Sequence, residues 1–553
     1  MTPLLVVAIS LLSAFATIFS TAPFGLGIAA IIAPACHVYI ACNTKSRSTI
    51  LIVFAIQVPL WLWLEFWVKD VSFVGWIGLA LYMSFWAALF VVLLRRVAHA
   101  KRLSRLSIVL TAPTLWVGLE CMRGIVIFDG YPWYLAGTGL VDWPNAQIAD
   151  FGGVWLVSFV VIAWAAGVAC WRDLKPLTWT LLIMVAITSA LYGGWHKKGP
   201  IPKRLPMALI QTNVTQSNKT GRTEQQQELD VAEAIQLTVQ ASQGKTGQGQ
   251  SPMLIVWPET MLPGAGFELT GIDFAPWTAS LRPLWMWSGE IRRLSRELDI
   301  PMLVGSHTWT GVTIDDVDGQ WLRTMPHKNF NSAVLVRQDG TTSRYDKIFL
   351  TPFGERIPYV GLWPAFESWI RESVGAAMLF SLDAGESPNR MVVDGVQDSE
   401  TATVRIATPI CFEDTVPWVV RNLVWENKER QVDVLINLSN DGWFGGSDAG
   451  RLQHVREARM RCIENRTPMV RAANTGQSCL INARGTVQEV ATVDGQLALR
   501  TSSILYVSPV SGWERPWSIF VCDSVAWACL IGSILLVVFS FTTRSASSHE
   551  YST

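Results

Sequence analysis

Over the first 195 positions, runs of about twenty apolar residues, the length a helix needs to cross a bilayer, alternate with short polar breaks. Seven such runs lie near 3–20, 22–41, 49–68, 72–94, 105–121, 151–171 and 177–194, and an eighth lies near 519–541. The first lacks a charged leading region and a small-residue cleavage site, so it reads as a retained span rather than a signal peptide. Between the seventh and eighth runs the pattern shortens to β-rich stretches at 206–211, 253–257, 301–305, 332–337, 404–408, 432–438, 468–472 and 478–482. Amphipathic helical stretches at 223–242, 288–299 and 451–465 fall between several of them. Strands alternating with helices predict an α/β domain. Segments 243–251, 310–328 and 383–400 read as loops.

Four parts follow: a seven-helix membrane domain over 1–195, an extracytoplasmic α/β domain over 196–518, a last membrane helix over 519–541 and a short cytoplasmic tail over 542–553. Charge sharpens this division. Only 18 of the 88 Lys, Arg, Asp and Glu residues precede position 196, so charge density roughly doubles afterwards. The net charge is zero, which argues against an electrostatic nucleic-acid binder. Basic residues cluster after the second run (Lys45, Arg47), the fourth (Arg95, Arg96, Lys101, Arg102, Arg105) and the sixth (Arg172, Lys175). Positive loops stay cytoplasmic. The N-terminus is then cytoplasmic, residues 196–518 lie on the opposite side, and Arg544 returns to the cytoplasm. Segment 122–150, with Gly130-Tyr131-Pro132-Trp133 and Asp142-Trp143-Pro144, is expected at the outer interface.

Nine Cys form no disulfide framework, since six lie in or beside membrane runs. Whether Cys462 and Cys479 pair stays open. Neither the Cys spacing nor the seven scattered His suggests a metal site.

Three segments place reactive residue types at strand ends, where open α/β sheets build their sites. Leu254-Ile255-Val256-Trp257-Pro258 delivers Glu259. Tyr345-Asp346 delivers Lys347, followed by Pro352-Phe353-Gly354-Glu355. Ala407-Thr408-Pro409-Ile410 delivers Cys411, followed by Phe412-Glu413-Asp414. Glu, Lys and Cys suffice for acyl transfer: a thiolate attacks a carbonyl, a carboxylate takes the thiol proton, and an ammonium stabilises the oxyanion. A Cys-His hydrolase using Cys411 and His454 and a transporter with Glu65 as its intramembrane charge are the other readings.

The ordered Glu259, Lys347, Cys411 set resembles the nitrilase superfamily, whose fold is an α-β-β-α sandwich. Membrane runs on both sides of the domain resemble one branch of it, the apolipoprotein N-acyltransferase family. Gln211-Thr212-Asn213 with Gln216 and Lys219, Asn440-Asp441-Gly442-Trp443-Phe444-Gly445, Gln453-His454, Ala458-Arg459, Arg461 and the Gly130–Trp133 segment share that resemblance. It implies a bacterial inner-membrane enzyme with its catalytic domain on the periplasmic side. It also implies a Cys411 thioester formed from a phospholipid, typically phosphatidylethanolamine, and discharged by the amine of a diacylated apolipoprotein. No cofactor is implied, and a monomer is expected. Glu259 is then the base, Lys347 the oxyanion partner, Glu355 and Glu413 supports, and Trp257, Phe412, Asn440 and Trp443 substrate contacts. The chain departs from the family at Phe412, where a Tyr is usual, and at Thr220, where a Trp is usual. A membrane-tethered amidase is the alternative. The 88 positions from Glu259 to Lys347 suggest insertions at 265–290 and 310–328. The first, with Trp277, Trp285, Met286 and Trp287, is expected to dip toward the bilayer.

Overall fold

The computed structural model describes residues 1–100, 103, 106–195, 204–214, 223–245, 250–268, 282–317, 321–359, 365, 368, 382–397, 400–510 and 515–542. Lys101, Arg102, Arg105, Gln216, Lys219, Thr220, Trp277 and Arg544 lie outside them. Contacts divide the chain into two compact units. One is Met1–Lys197 with Leu452–Glu464 and Pro516–Thr553, and the other is Lys198–Arg451 with Asn465–Arg515.

The membrane unit contains helices α1 (Pro3–Ser20), α2 (Gly27–Asn43), α3 (Ser48–Leu64), α4 (Phe73–Ala98), α5 (Ile108–Cys121), α6 (Ala149–Ala169) and α7 (Pro176–Gly194), one for each apolar run before position 196. Among the described residues, six helices are long and apolar enough to cross a membrane, including Ser518–Phe541. The other two, α2 and α3, have 17 residues each and span about 25 Å at 1.5 Å per residue.

Segment 122–150 is not a loop lying over the surface. Trp133 is 2 % exposed, and Leu135, Leu140, Val141 and Ala146 join the bundle core. Irregular backbone at such a place must find internal partners. Arg123 supplies them, its Nη1 donating to the carbonyls of Trp133 (2.6 Å) and Tyr131 (3.1 Å). Glu65 accepts from the Tyr131 hydroxyl and from Trp67 Nε1, both at 3.0 Å, so its charge is absorbed structurally.

The second unit is built on two six-stranded sheets. Its strands are β1 (Met207–Gln211), β2 (Leu254–Val256), β3 (Met302–Thr310), β4 (Thr313–Val317), β5 (Trp321–Met325), β6 (Lys328–Val336), β7 (Thr342–Asp346), β8 (Met391–Gln397), β9 (Glu400–Ala407), β10 (Val434–Ser439), β11 (Met469–Ala473), β12 (Cys479–Ile481), β13 (Val487–Val490) and β14 (Ser503–Val507). The first sheet runs β14-β1-β2-β3-β6-β7 and the second β13-β12-β11-β10-β9-β8. In each, three parallel strands form the centre and antiparallel strands the edges. The central strands are almost wholly buried, which explains their unbroken apolar runs. Strand β1 packs across onto β11, so the sheets face each other. Helices α8 (Glu224–Gln243) and α9 (Arg282–Leu298) cover the first sheet through Val231, Ala234, Ile291 and Leu294. Helix α10 (Pro417–Val424) follows the Cys411 turn. Helix α11 (Asp448–Asn465) begins in this unit and continues into the other, and α12 (Ser518–Thr542) is the last membrane helix.

Three expectations change. Segment 310–328 carries the β4–β5 hairpin, whose alternating polar residues hid it. Segment 383–400 carries β8, paired antiparallel to β9. In 265–290, residues from Arg282 onward open α9, and Trp287 packs on the core of the first sheet.

Candidate active site

Glu259 follows β2, Lys347 follows β7 and Cys411 follows β9, so the chain ends of three strands, drawn from both sheets, carry the three residues. Glu259 is 4 % exposed and Lys347 1 %. Lys347 Nζ lies 2.6 Å from Glu355 Oε2 and 3.8 Å from Glu259 Oε1. The cation therefore sits between two carboxylates.

Both oxygens of Glu259 are oriented. Oε1 accepts from Asn331 Nδ2 at 2.7 Å, and Oε2 accepts from the Asn440 backbone N–H at 2.9 Å. Asn331 Nδ2 also reaches Glu355 Oε1 at 3.2 Å, and Glu355 Oε2 accepts from the Thr351 N–H at 2.8 Å. Burial works to lower the Lys347 ammonium, but Glu355 and then Glu259 outweigh it and hold it above the usual lysine range. Burial works to raise the Glu355 carboxyl, but Lys347 holds it below the usual carboxylate range.

Cys411 stands at φ +50°, a left-handed backbone that costs a side-chain-bearing residue about 1–2 kcal/mol. Its neighbour Ile410 bridges to Leu438 of β10, and Asn437 Nδ2 donates to the Cys411 carbonyl at 3.2 Å. Burial, and then the charge of Glu259, push the thiol well above its ordinary pKa, while Lys347 pulls the other way. The resting sulfur is a thiol that must lose its proton as it attacks, and Glu259 is the carboxylate acting on it most strongly.

Glu413 ties two of the strand ends together. Its Oε1 accepts from the N–H groups of Ile348 (2.8 Å) and Phe349 (2.9 Å), beside Lys347. Its Oε2 accepts from the Ile410 N–H (2.8 Å), beside Cys411. The Tyr345 hydroxyl donates to the same carboxylate at 2.9 Å. Burial pushes the Glu413 carboxyl up to about 7 even so.

The four expected substrate contacts divide. Trp257 is fully buried, packs in the helix-side core of the first sheet, and donates from Nε1 to Thr238 Oγ1 at 2.8 Å. Period-two alternation is the reason: Ile255 and Trp257 share one face of the strand, so Trp257 is a packing residue and not a substrate contact. Phe412 stacks on Phe349 with ring centroids 6.1 Å apart. Asn440 is 2 % exposed and acts on Glu259 through its backbone, while its side chain accepts from Asn474 Nδ2 at 2.7 Å. Trp443 is half-buried in the turn Asp441–Phe444. Cys462 and Cys479 are not joined in a disulfide. His454 packs its ring on Trp133 at 5.6 Å.

Residues 208–501, more than half of the chain, match the carbon-nitrogen hydrolase family. The chain belongs to that family. Residues 13–168 match the apolipoprotein N-acyltransferase N-terminal domain. Apolipoprotein N-acyltransferase of Geobacter metallireducens is 29 % identical over 466 residues, covering 80 % of this chain and 75 % of the relative. That of Haemophilus influenzae is 27 % identical over 533 residues, covering 92 % and 90 %. Among solved structures, an amidase from Nesterenkonia sp. is 14 % identical, with a TM-score of 0.34, covering 57 % of this chain and 92 % of the amidase.

Several residues that shape this hydrolase-family site carried no legible signal. Asn331 lies 72 positions from Glu259. Arg471 is fully buried on β11, paired with Asp414 and, at 3.3 Å, with Asp441. Both aspartates flank motif residues, yet their cation is remote in sequence. Gly305 is a third case. A Cβ there would meet Pro258 O at 2.2 Å and Glu259 Cα at 2.6 Å. Gly305→Ala should therefore displace the base, lowering turnover about 10–100-fold and stability by about 1–3 kcal/mol. Activity and thermal denaturation measured on the same preparation check both, and unchanged turnover would mean the Glu259 turn can move without consequence.

Proposed function

We propose that the protein transfers an acyl chain from a phospholipid to the α-amine of a diacylglyceryl-cysteine at a lipoprotein N-terminus. The observation that carries this reading is the union, on one chain, of the Glu259–Lys347–Cys411 cluster with helices of an apolipoprotein N-acyltransferase type. Water-soluble acyl donors would need no such bundle.

The geometry supports a two-step exchange. Glu259 takes the Sγ proton as Cys411 attacks the ester carbonyl, and the Lys347 ammonium stabilises the oxyanion. Collapse forms the thioester and expels the glycerol alkoxide of the lysophospholipid, which receives the proton from Glu259. The incoming amine attacks the thioester, passes a proton to Glu259, and the departing thiolate recovers it. An α-amine with a pKa of about 8 is partly neutral near pH 7 and can act as this nucleophile. Glu355 holds Lys347, and Glu413 fixes the Lys347 and Cys411 segments relative to each other. The chain would work as a monomer in a bacterial inner membrane, with residues 196–518 on the periplasmic face, a reading supported by the alternating basic loops.

Incubating the purified chain with phospholipid and a diacylated lipopeptide tests this. The lipopeptide should gain one amide-linked acyl chain while lysophospholipid accumulates in equal amount. Free fatty acid in place of acylated peptide would favour a membrane-bound hydrolase.

A further inference from the structure

The two hydrogen bonds that orient Glu259 come from different sheets. Asn331 stands on β6 of the first sheet, which also delivers Glu259, and reaches Oε1. The Asn440 N–H that reaches Oε2 follows β10 of the second sheet. The second bond therefore holds only while the two sheet ends keep their spacing. Asn474 stands at this crossing. It follows β11, is fully buried, and its amide fills all four of its hydrogen-bonding positions. Oδ1 accepts from the Val214 N–H at 2.7 Å and from the Thr212 hydroxyl at 2.8 Å. Nδ2 donates to the Val214 carbonyl and to Asn440 Oδ1, both at 2.7 Å. The backbone adds two more: the Asn474 N–H donates to the Ser439 carbonyl at 2.9 Å, and the Asn474 carbonyl accepts from the Asn213 N–H at 2.8 Å.

These bonds fall into two sets. One set ends on residues 212–214, which follow β1, the parallel neighbour of the strand that delivers Glu259. The other ends on Ser439 and Asn440. The Ser439 carbonyl and the Asn440 N–H are opposite edges of one peptide plane. Asn474 holds that plane by its carbonyl, and the N–H on the other edge meets Glu259. Arg471, on β11 itself, holds the next residue, Asp441, at 3.3 Å. A buried amide is costly unless every position is satisfied, and an apolar side chain would fill the same space without that demand. An apolar side chain could not tie residues 212–214 to Asn440.

We propose that Asn474 is a positioning residue for the base. It joins the two sheets beside the site, so that the Asn440 N–H stays on Glu259 Oε2 and the carboxylate cannot turn about its other anchor. Every residue of this connection belongs to the unit that carries Cys411. The inference rests on the roles given above to Glu259 and Cys411, and not on the identity of the acyl donor or acceptor.

The test reads the first chemical event, loss of the Cys411 proton, without any lipid substrate. The full chain in alkyl maltoside micelles is treated with iodoacetamide at pH 7. The sulfur forms the new C–S bond, iodide leaves, and the thiol proton passes to Glu259 and on to water. Labelled peptides are followed in time by mass spectrometry. Cys479, fully buried in the same unit, reports opening of the fold. Asn474→Ala should slow labelling of Cys411 about 10–100-fold while Cys479 stays as protected as in the unaltered chain. A residue that only stabilised the fold would expose both thiols together and speed both. Asn440→Ala keeps the N–H but removes the acceptor of Asn474 Nδ2, and should slow Cys411 about tenfold. The double variant should be no slower than Asn474→Ala, because both changes cut one connection. If Asn474→Ala fails to fold, Asn440→Ala decides alone. An unchanged or faster Cys411 rate with Cys479 protected, losses that multiply in the double variant, or joint exposure of both thiols in both single variants would each overturn the proposal.

Discussion

Cys411→Ala should lower acyl transfer by at least about 10⁴-fold, because no other group in the cluster can carry the acyl chain. The thiol is held in its neutral form by burial and by the charge of Glu259, so its removal takes no charge out of the site. Its left-handed backbone tolerates alanine no worse than cysteine. Stability should therefore change by no more than about 1 kcal/mol. Transfer to a diacylated lipopeptide, read beside a melting curve, separates lost chemistry from lost fold. Retained turnover would show that the nucleophile lies elsewhere.

Lys347→Met should damage both. Loss of an oxyanion partner costs about 10²–10³-fold in turnover. It also leaves Glu259 and Glu355 buried without their shared cation, and breaking such a pair costs about 3–5 kcal/mol. The pH dependence has a definite sign. Lys347 is raised above its unfolded value, so its contribution is fully present below about pH 10 and is lost only as pH rises through the higher folded value. Glu355 is depressed, so its contribution is present above the usual carboxylate range and is lost as pH falls through its folded value. The variant's deficit should be full at pH 7 and shrink toward pH 4, where the carboxyls protonate. A deficit equal at both pH values would mean that lost packing of the lysine stem, not uncompensated charge, destabilises the variant.

The strand that carries Glu259 was legible because it is buried throughout and reads as an unbroken apolar run, and the strand before Cys411 was legible at its end, where Val404, Ile406 and Ala407 are buried. Strands β7 and β8 were not, because Arg344, Asp346 and Asp394 interrupt their apolar pattern at partly exposed edges. Nor does hydropathy reveal which residues face the site, and Trp257 shows this: its place beside Glu259 suggested a substrate contact, whereas strand parity turns it into the core. Charge misleads most in α11. Residues Leu452–Glu464 look soluble, yet they pack with the membrane helices. Their charges are met there: Glu457 accepts from the Tyr134 N–H at 3.1 Å, and Glu464 accepts from the Val154 N–H at 2.7 Å. That last donor is free because Gly153, at φ +68°, breaks the helix just before it. Such pairs join positions about 310–320 residues apart, beyond the reach of any local pattern.

The most direct test is the intact mass of the Cys411-containing protein after exposure to phospholipid alone. One acyl group should appear, localise to the Cys411 peptide, be released by hydroxylamine, and be discharged by a diacylated lipopeptide much faster than by water. Absence of any adduct on Cys411 during turnover, or its discharge by water as rapidly as by the amine, would contradict a thioester acyltransferase.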